Sequence, residues 1–347
     1  MNRLSTTANL ALALALAAGV ACDAEVIDDS VGETQFRALT DNSAEINGII
    51  VNGIIVNGII VNGIIVNGII VNGGEYGGIT LESARAPNGD EIALMWTTIQ
   101  SGRLMMFTEG GHFFHGEGVV GSKLTFHTDE GDYRIYVDDA DFKDGGEFKG
   151  GGLYHYTLSV ATEGEDGIDD DSRESLCFDG EGQPTDALLL PGEWDHETGE
   201  RTNSNPTSMT AACRHAALAK CAEWGYRPGL LPSSHASCVR MVRADYAGDG
   251  VAHTENGTLI HVGDKYGINK QDSEPGLLKE AEWGPDGALC LNRGALRHPE
   301  LSGCEDSNDP ETCFPGIPAC PGDPDDLKIK LHKYGAKIMT AISVDPQ

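Results

Sequence analysis

The sequence predicts an α+β protein in which a β-rich part comes first and a disulfide-stapled α+β domain follows. Three observations support this fold class. Short apolar runs separated by turn residues recur between residues 75 and 162, and two later segments have helical spacing. All eight cysteines after Cys22 lie beyond residue 176. A repeat with a β-solenoid-like or meander structure is expected before the strands, and the 347 residues allow two ordinary domains.

Composition limits the classes of partner. The chain has 54 acidic and 24 basic residues, and its formal net charge is −30. Such a surface repels phosphate backbones, so we expect no nucleic-acid partner. Nine cysteines are many for a reducing compartment and favour an oxidising one. No cofactor is predicted.

Residues 1–21 are predicted to be a signal peptide. Arg3 supplies a positive start, leucine and alanine alternate from Leu10 to Leu16, and small residues precede Cys22. A lipoprotein peptidase would cut before Cys22 and leave it lipidated, whereas an ordinary signal peptidase would cut after Ala21 or Ala24. Residues 22–46 are acidic and aperiodic, which is typical of a flexible tether. We expect a chain held at the cell envelope through its N-terminal lipid only, or a secreted one.

A five-residue repeat occupies residues 47–74. Asn-Gly recurs at 47, 52, 57, 62, 67 and 72, with Ile-Ile-Val between successive pairs. One architecture is a β-solenoid with Asn-Gly corners, and in that register the unit is similar to pentapeptide-repeat proteins. The other is a meander of three-residue strands with Asn-Gly turns. The segment serves either as a stalk or in self-association through unpaired strand edges.

The next segment, residues 75–162, is predicted to be a small β-sandwich or barrel. Five apolar or alternating runs predict its strands: Ile92–Ile99, Leu104–Thr108, Ser122–His127, Tyr133–Val137 and Tyr154–Val160. His112 and His115 lie close in sequence, but no third ligand is specified, so no metal site is predicted. Residues 163–174 are densely acidic and are interpreted as an exposed loop between domains.

The cysteines beyond residue 176 are even in number and predict disulfides. They are Cys177, Cys213, Cys221, Cys238, Cys290, Cys304, Cys313 and Cys320. A structural zinc site at the last three is the alternative, although their spacing lacks the close pairs of zinc sites.

Two helices and a hairpin are predicted in residues 175–303. Thr207 and Ser208 are suited to cap a helix from Met209 to Trp224, and a second helix begins near Ser233 or Ser234. On the first helix, Cys213 and Cys221 would lie about 12 Å apart, too far to bond each other. Their nearest other cysteines in sequence are Cys177 and Cys238. Asn256-Gly257 predicts a hairpin between Val251–Thr254 and Thr258–Val262.

A string of motifs in this half resembles the ADYC-domain family, which is met in exported proteins and lipoproteins. The motifs are Cys213-Arg-His-Ala-Ala-Leu-Ala-Lys-Cys221, Trp224-Gly-Tyr-Arg-Pro228, Cys238-Val-Arg-Met-Val-Arg-Ala-Asp-Tyr246, Gly248-Asp-Gly250, His253-Thr254, Asn256-Gly-Thr258 and Trp283-Gly-Pro-Asp-Gly-Ala288. The resemblance covers roughly residues 150–300. The cysteine that gives the family motif its last letter is Ala247 here. If that cysteine is normally bridged, the resemblance implies that its partner is also missing here or is left free.

The polar residues of these motifs are the candidate ligand-binding residues: Arg240, Arg243, Asp245, Tyr246, Asp249 and His253. Arg240 and Arg243 are three apart on the predicted helix and can share a face. A structural role for the motif, ligand binding and catalysis all stay open at this point.

The sequence therefore predicts an exported, lipid-anchored cell-surface protein that is a non-enzymatic binding or structural module. The alternative is an extracellular hydrolase with a site around Asp245, Asp249 and His253. Residues 304–347 are interpreted as a Cys- and Pro-rich tail and C-terminal segment.

Overall fold

The fold is strand-rich, with two α-helices among the described residues of a computed structural model. Residues 37–38, 54–56, 59–61, 80–92, 98–100, 102–108, 110–128, 131–143, 152–164, 167–171, 173–178, 183–194, 199–203, 209–214, 216–254, 258–269, 276–302, 314–321, 331 and 335–343 are described. The predicted signal peptide, Cys22, Cys304 and Cys313 lie outside them.

The strands in chain order are β1 (Arg37–Ala38), β2 (Ile54–Val56), β3 (Ile59–Val61), β4 (Thr80–Arg85), β5 (Thr98–Gln100), β6 (Arg103–Phe107), β7 (Phe113–His115), β8 (Lys123–Thr128), β9 (Gly131–Lys143) and β10 (Leu153–Gly164). They continue with β11 (Gly167–Ile168), β12 (Glu174–Ser175), β13 (Ala187–Pro191), β14 (Glu193–Trp194), β15 (Arg201–Asn203), β16 (Met209–Cys213), β17 (His261–Asp264), β18 (Leu277–Gly284), β19 (Gly287–Leu291) and β20 (Ile338–Ser343). The helices are α1 (Ala217–Glu223) and α2 (Pro232–Arg243), and short 3₁₀ helices span Gly116–Val119, Arg293–Ala295 and Pro299–Ser302.

An eight-stranded antiparallel sheet forms the first large element. Its order is β16-β13-β10-β9-β8-β4, and β11 and β12 also pair with β10. The strands predicted at Ser122–His127, Tyr133–Val137 and Tyr154–Val160 are its members β8, β9 and β10. The sheet is open, so the predicted barrel does not form. The three-stranded sheet β5-β6-β7 packs on one face, because Leu104 and Met106 share a core with Leu124 and Ile135.

This sheet draws strands from both sides of the acidic segment 163–174. Strands β13 and β16 come after that segment, whereas β4, β8 and β9 come before it. Strand β13 is buried on both faces. Ala187 and Leu189 face the core beneath the three-stranded sheet, and Leu188 and Leu190 join a second core with the helices. A continuous apolar run suits a strand that is covered on both faces.

A five-stranded antiparallel sheet, in the order β1-β17-β20-β18-β19, forms the second large element. Its residues Trp283 and Ile338 share the second core with Leu218 of α1 and Val239 of α2. Strand β1 lies inside the predicted tether, and its residues pair with Val262 and His261 of β17.

The predicted helix from Met209 to Trp224 is wrong in its first half. Residues Met209–Cys213 form β16, which pairs with β13 so that Ala212 lies opposite Leu188. Helix α1 begins only at Ala217. The alanines have a high helix propensity, but they are small and fully buried beside β13, and this packing overrides the local preference.

The predicted hairpin around Asn256-Gly257 is also wrong in the residues described. Val251–Thr254 forms no strand, and the His253 N–H donates to the carbonyl of Arg243 instead. Strand β17 pairs with β20, with Val262 opposite Thr340. Strand β20, distant in sequence, therefore takes the place of the predicted local partner Val251–Thr254. Residues 255–257 lie outside the described ranges.

Two units of the repeat are described. Strands β2 and β3 pair antiparallel with Ile55 opposite Ile60, an arrangement that belongs to the meander alternative rather than to a solenoid. The other units lie outside the described residues.

Among the cysteines that the structure describes, three disulfides connect the elements: Cys177–Cys213, Cys221–Cys238 and Cys290–Cys320. The first two match the neighbours in sequence that were noted for Cys213 and Cys221. The third pairs Cys320, a ligand of the alternative zinc site, with Cys290. Disulfides of this number are characteristic of an oxidising compartment. In the part of the chain that the structure describes, no helix has the length and hydropathy to cross a bilayer.

Candidate functional site

The candidate residues lie where α2 ends and the chain turns toward the hairpin β18–β19. The helix ends at Ala244, whose backbone adopts the left-handed conformation with φ of 52°. Its N–H and that of Asp245 donate back to the last helical carbonyls, including that of Arg240. This turn brings Asp245 beside the helix that it follows.

Asp245 closes the loop after the helix. Its side chain is fully buried, and Oδ2 accepts hydrogen bonds from Arg240 Nη1 at 2.5 Å and from the Gly250 N–H at 3.0 Å. Arg240 Nε also donates to the carbonyl of Pro285 at 3.2 Å. Arg240 therefore links helix, loop and hairpin through one guanidinium group, which suits the fork of donors that arginine offers.

Arg243 binds the same loop through two contacts. It is buried, and its Nη2 donates to the carbonyl of Gly250. Its own carbonyl accepts from the His253 N–H at 3.0 Å. Both arginines of α2 thus contact the loop that contains Gly250.

Tyr246 is the centre of an aromatic cluster. Its ring stacks on Trp283 with centroids 5.3 Å apart and on His253 at 5.9 Å, and Phe314 contacts both Tyr246 and His253. The Tyr246 carbonyl accepts from the Ala288 N–H at 2.9 Å. The tyrosine is fully buried.

A buried ion pair lies at the end of the Tyr246 side chain. The hydroxyl donates to Glu280 Oε1 at 2.6 Å, and Arg297 binds both carboxylate oxygens, at 2.8 Å from Nε and 2.6 Å from Nη2. Thr340 of β20 donates to Glu280 Oε2 at 2.8 Å. Burial raises the pKa of Glu280, but Arg297 and the hydrogen bonds outweigh it, so that the pKa lies below its usual value. The same carboxylate raises the pKa of Tyr246 further, in addition to the larger effect of burial.

Two glycines allow the loop and the hairpin to touch. A Cβ on Gly248 would lie 1.9 Å from the Asp286 carbonyl oxygen, and one on Gly287 would lie 2.7 Å from the Tyr246 carbonyl oxygen. Both glycines have positive φ. The motifs Gly248-Asp-Gly250 and Trp283-Gly-Pro-Asp-Gly-Ala288 are therefore two sides of one backbone contact.

The structure places the six candidate residues in one region but in different roles. Asp249 is exposed, and its Oδ1 accepts from the Val251 N–H at 3.0 Å within a turn. His253 is 9% exposed and packs between Tyr246 and Phe314. Arg240, Arg243, Asp245 and Tyr246 are buried.

Sequence reasoning missed Glu280, Arg297 and Thr340. Glu280 and Glu282 are separated by one residue in Lys279-Glu-Ala-Glu-Trp283, a charge pattern that is typical of an exposed strand face. Both are instead fully buried, and Lys279 pairs with Glu282. The one available signal was that the run directly precedes the Trp283 motif.

A second cluster of titratable groups lies where β10, β13 and α1 meet. His155 Nε2 is 3.5 Å from Glu223 Oε1, its Nδ1 is 4.0 Å from Asp186 Oδ2, and Arg214 Nε donates to Glu223 Oε1 at 3.0 Å. Burial lowers the pKa of His155 to about 4 and raises that of Glu223 to about 7. In the described ranges, no group of three or more His, Cys, Asp or Glu side chains is arranged to hold a metal ion.

Fold and site define an α+β protein with disulfides, in which a loop after a helix is locked onto a hairpin by buried ion pairs and glycine contacts. The model of the ADYC domain family matches residues 116–297, more than half of the chain. The chain belongs to the ADYC domain family. No curated protein and no solved structure matches it significantly.

Proposed function

We propose that this chain is an exported, lipid-anchored cell-surface protein whose ADYC domain is a non-enzymatic binding or structural module. The contacts of the motif side chains carry this proposal. The hydrogen bonds described above join the buried side chains of Arg240, Asp245 and Tyr246 to other groups of the protein. Groups that act on a substrate have to meet it, whereas groups that fix a fold do not.

Substitution of two acids separates a structural from a catalytic motif. Asp245→Asn removes the charge that faces Arg240, and loss of one partner from a buried ion pair costs about 3 kcal/mol or more. Asp249→Asn is the matched control, since its amide oxygen still accepts from Val251 in an exposed turn. We expect a large fall in the free energy of unfolding for the first variant and a small change for the second.

The hydrolase interpretation of Asp245, Asp249 and His253 makes the opposite prediction. Both aspartate variants would keep the stability of the wild type and lose a hydrolytic activity that the wild type has. Denaturant unfolding of the two variants, with activity measured in parallel on ester and peptide substrates, distinguishes these outcomes.

Export and lipid attachment are supported by the N-terminal sequence and are compatible with the three disulfides. Metabolic labelling with a palmitate analogue tests the lipid. We expect label on the wild type and none on Cys22→Ala. A wild type without label would contradict the lipid anchor and leave the proposal for the ADYC domain standing.

A further inference from the structure

A single carboxylate is held by three donors on an outer face of the eight-stranded sheet. Lys123 Nζ donates to Asp170 Oδ2 at 2.7 Å, Arg134 Nη1 donates to Oδ1 at 2.5 Å, and the Tyr136 hydroxyl also donates to Oδ1. We call the three donor side chains, Lys123, Arg134 and Tyr136, the carboxylate cradle.

The pairing of β8 with β9 brings the three donors of the cradle together without any ligand. Lys123 of β8 lies opposite Tyr136 of β9, and Arg134 lies opposite Thr125 in the same pair of strands. Residues two apart on a strand share a face, so all three donors are brought together by the sheet. The Thr125 hydroxyl accepts from Arg134 Nε at 3.3 Å and orients the guanidinium group.

One further cation, Arg173, lies against the tyrosine of the cradle. The Tyr136 ring is buried, with Lys123 Nζ 5.4 Å from its centroid and the Arg173 guanidinium 4.6 Å from it. Asp138 binds Arg173 at 2.8 Å. In a chain with 54 acids and 24 bases, this concentration of positive charge is a local exception. It favours an anion at this position.

The occupant of the cradle is part of an acidic peptide segment. Residues Gly167–Asp171, which we call the acidic strap, contain three consecutive aspartates. The strap pairs with the sheet through β11, with Ile168 opposite Glu163. Partial desolvation raises the pKa of Asp170, but the hydrogen bonds from the cradle outweigh it, and the net pKa is lowered. The carboxylate is therefore charged at neutral pH.

The ion pair between Asp170 and Lys123 is partly exposed, so another carboxylate can replace that of Asp170. The side chain of Asp170 is 40% exposed and that of Lys123 is 41% exposed. Ion pairs at such a surface contribute little to stability, because water screens them and their long side chains lose freedom. A second carboxylate reaching the same donors would satisfy them equally.

We propose that the carboxylate cradle is a binding site for an acidic peptide segment of a partner, and that Asp170 is its intramolecular competitor. The occupant seen in the structure, an aspartate within an aspartate-rich peptide, defines this ligand class. The proposal is independent of the role of the ADYC motif.

The test uses the full chain and a peptide in trans. The probe is the acetylated and amidated peptide Gly-Ile-Asp-Asp-Asp, and the control peptide carries asparagine at the three aspartate positions. We expect Asp170→Asn to bind the probe in the millimolar range. The wild type should bind it at least ~2-fold more weakly, because a short tether holds its own aspartate at millimolar or higher effective concentration. Isothermal titration calorimetry measures both.

Two further variants assign the binding to the cradle. In the Asp170→Asn background, Lys123→Ala should abolish probe binding. Lys265→Ala is the matched control, since Lys265 also lies over a tyrosine, 4.8 Å from the ring of Tyr266, but outside the cradle. Binding of the asparagine peptide as tightly as the probe would overturn the proposal, and so would equal binding by wild type and Asp170→Asn. Failure of Asp170→Asn to fold would also overturn it, because Asp170 would then be a structural ion-pair partner rather than an exchangeable occupant.

Discussion

The hydroxyl of Tyr246 donates a 2.6 Å hydrogen bond to Glu280, a residue of the central part of β18. Glu280 in turn binds Arg297 and Thr340, so one tyrosine joins the loop after α2 to three segments that are distant in sequence. The tyrosine of the family motif is thus part of the interior of the domain. Both parts of the side chain make buried contacts. The ring packs on Trp283, and the hydroxyl donates to the charged carboxylate of Glu280.

Replacing Tyr246 with phenylalanine tests the hydroxyl alone. The ring contacts remain, and the buried carboxylate loses one donor. Hydrogen bonds to charged groups contribute about 1.5–3 kcal/mol, so we expect Tyr246→Phe to lower the free energy of unfolding by about that amount. Tyr266→Phe is the control, since Tyr266 is 43% exposed and should change stability by less than about 0.5 kcal/mol. Equal unfolding midpoints for the two variants would show that the hydroxyl is not required.

Gly287→Ala tests the close backbone contact between loop and hairpin. A methyl group there would meet the Tyr246 carbonyl and the Gly248 backbone, in addition to the strain of a positive φ. We expect a loss of about 2–5 kcal/mol from strain and overpacking together. Gly316→Ala has a similar φ of 98° but open space around the added carbon, so it should show the strain alone, about 1 kcal/mol. Thermal unfolding compares them, and a smaller effect at Gly287 than at Gly316 would refute the steric explanation.

The disulfide Cys221–Cys238 joins the two helices across 17 residues of sequence. Removing a crosslink of this length frees the unfolded chain and costs about 3 kcal/mol in the chain-entropy description. We therefore expect the double variant Cys221→Ala, Cys238→Ala to unfold at a clearly lower denaturant concentration. Under reducing conditions the wild type should lose at least as much stability as this variant. No loss in either experiment would mean that the α1–α2 contact is sufficient without the bond.

Glu223 predicts a stability change with pH. Burial raises its pKa from the usual 4.5 to about 7, so between these values the folded state holds a proton that the unfolded state has lost. The associated stability is complete below about pH 4.5 and is lost as the pH rises through about 7. Glu223→Gln cannot titrate, so the wild-type stability minus the variant stability should fall by about 3 kcal/mol across this window.

His155 acts in the opposite direction in an overlapping window. Its pKa is lowered from 6.5 to about 4, so its contribution is present above about pH 6.5 and is lost as the pH falls through about 4. For this reason the difference between wild type and Glu223→Gln, measured by urea unfolding at several pH values, is the diagnostic quantity. A difference that stays flat or rises with pH would contradict the raised pKa of Glu223.

Local patterns were sufficient for three strands of the eight-stranded sheet, β8, β9 and β10. Tyr133, Ile135 and Val137 alternate along β9, and the strand is found where the alternation predicts it. They were insufficient where a distant partner decides the structure. Met209–Cys213 has the composition of a helix, but its pairing with β13 makes it a strand. Val262 finds its partner at Thr340 rather than across the nearby Asn-Gly.

The sequence indicated the helix that carries two of the candidate residues. It did not indicate the hydrogen bonds and ion pairs that connect them to the rest of the domain. The spacing of Arg240 and Arg243 indicated one helix face, and both residues do hold the following loop. Glu280 and Arg297 were not predictable, because nothing local distinguishes a buried glutamate with a distant arginine from a solvated one. Their pairing exists only after β18 and the segment around residue 297 have come together.

Strand β20 lies in the middle of the five-stranded sheet, between β17 and β18. It is also the strand that emerges last from the ribosome among those described, more than 40 residues after the end of the family match at 297. A nascent chain that has reached residue 300 contains every residue of that match. It lacks β20, so no strand lies between β17 and β18 to pair with both of them. Assembly of this sheet must therefore wait until residues 338–343 are released, and a recombinant fragment that stops at the family boundary would present two bare strand edges to its neighbours.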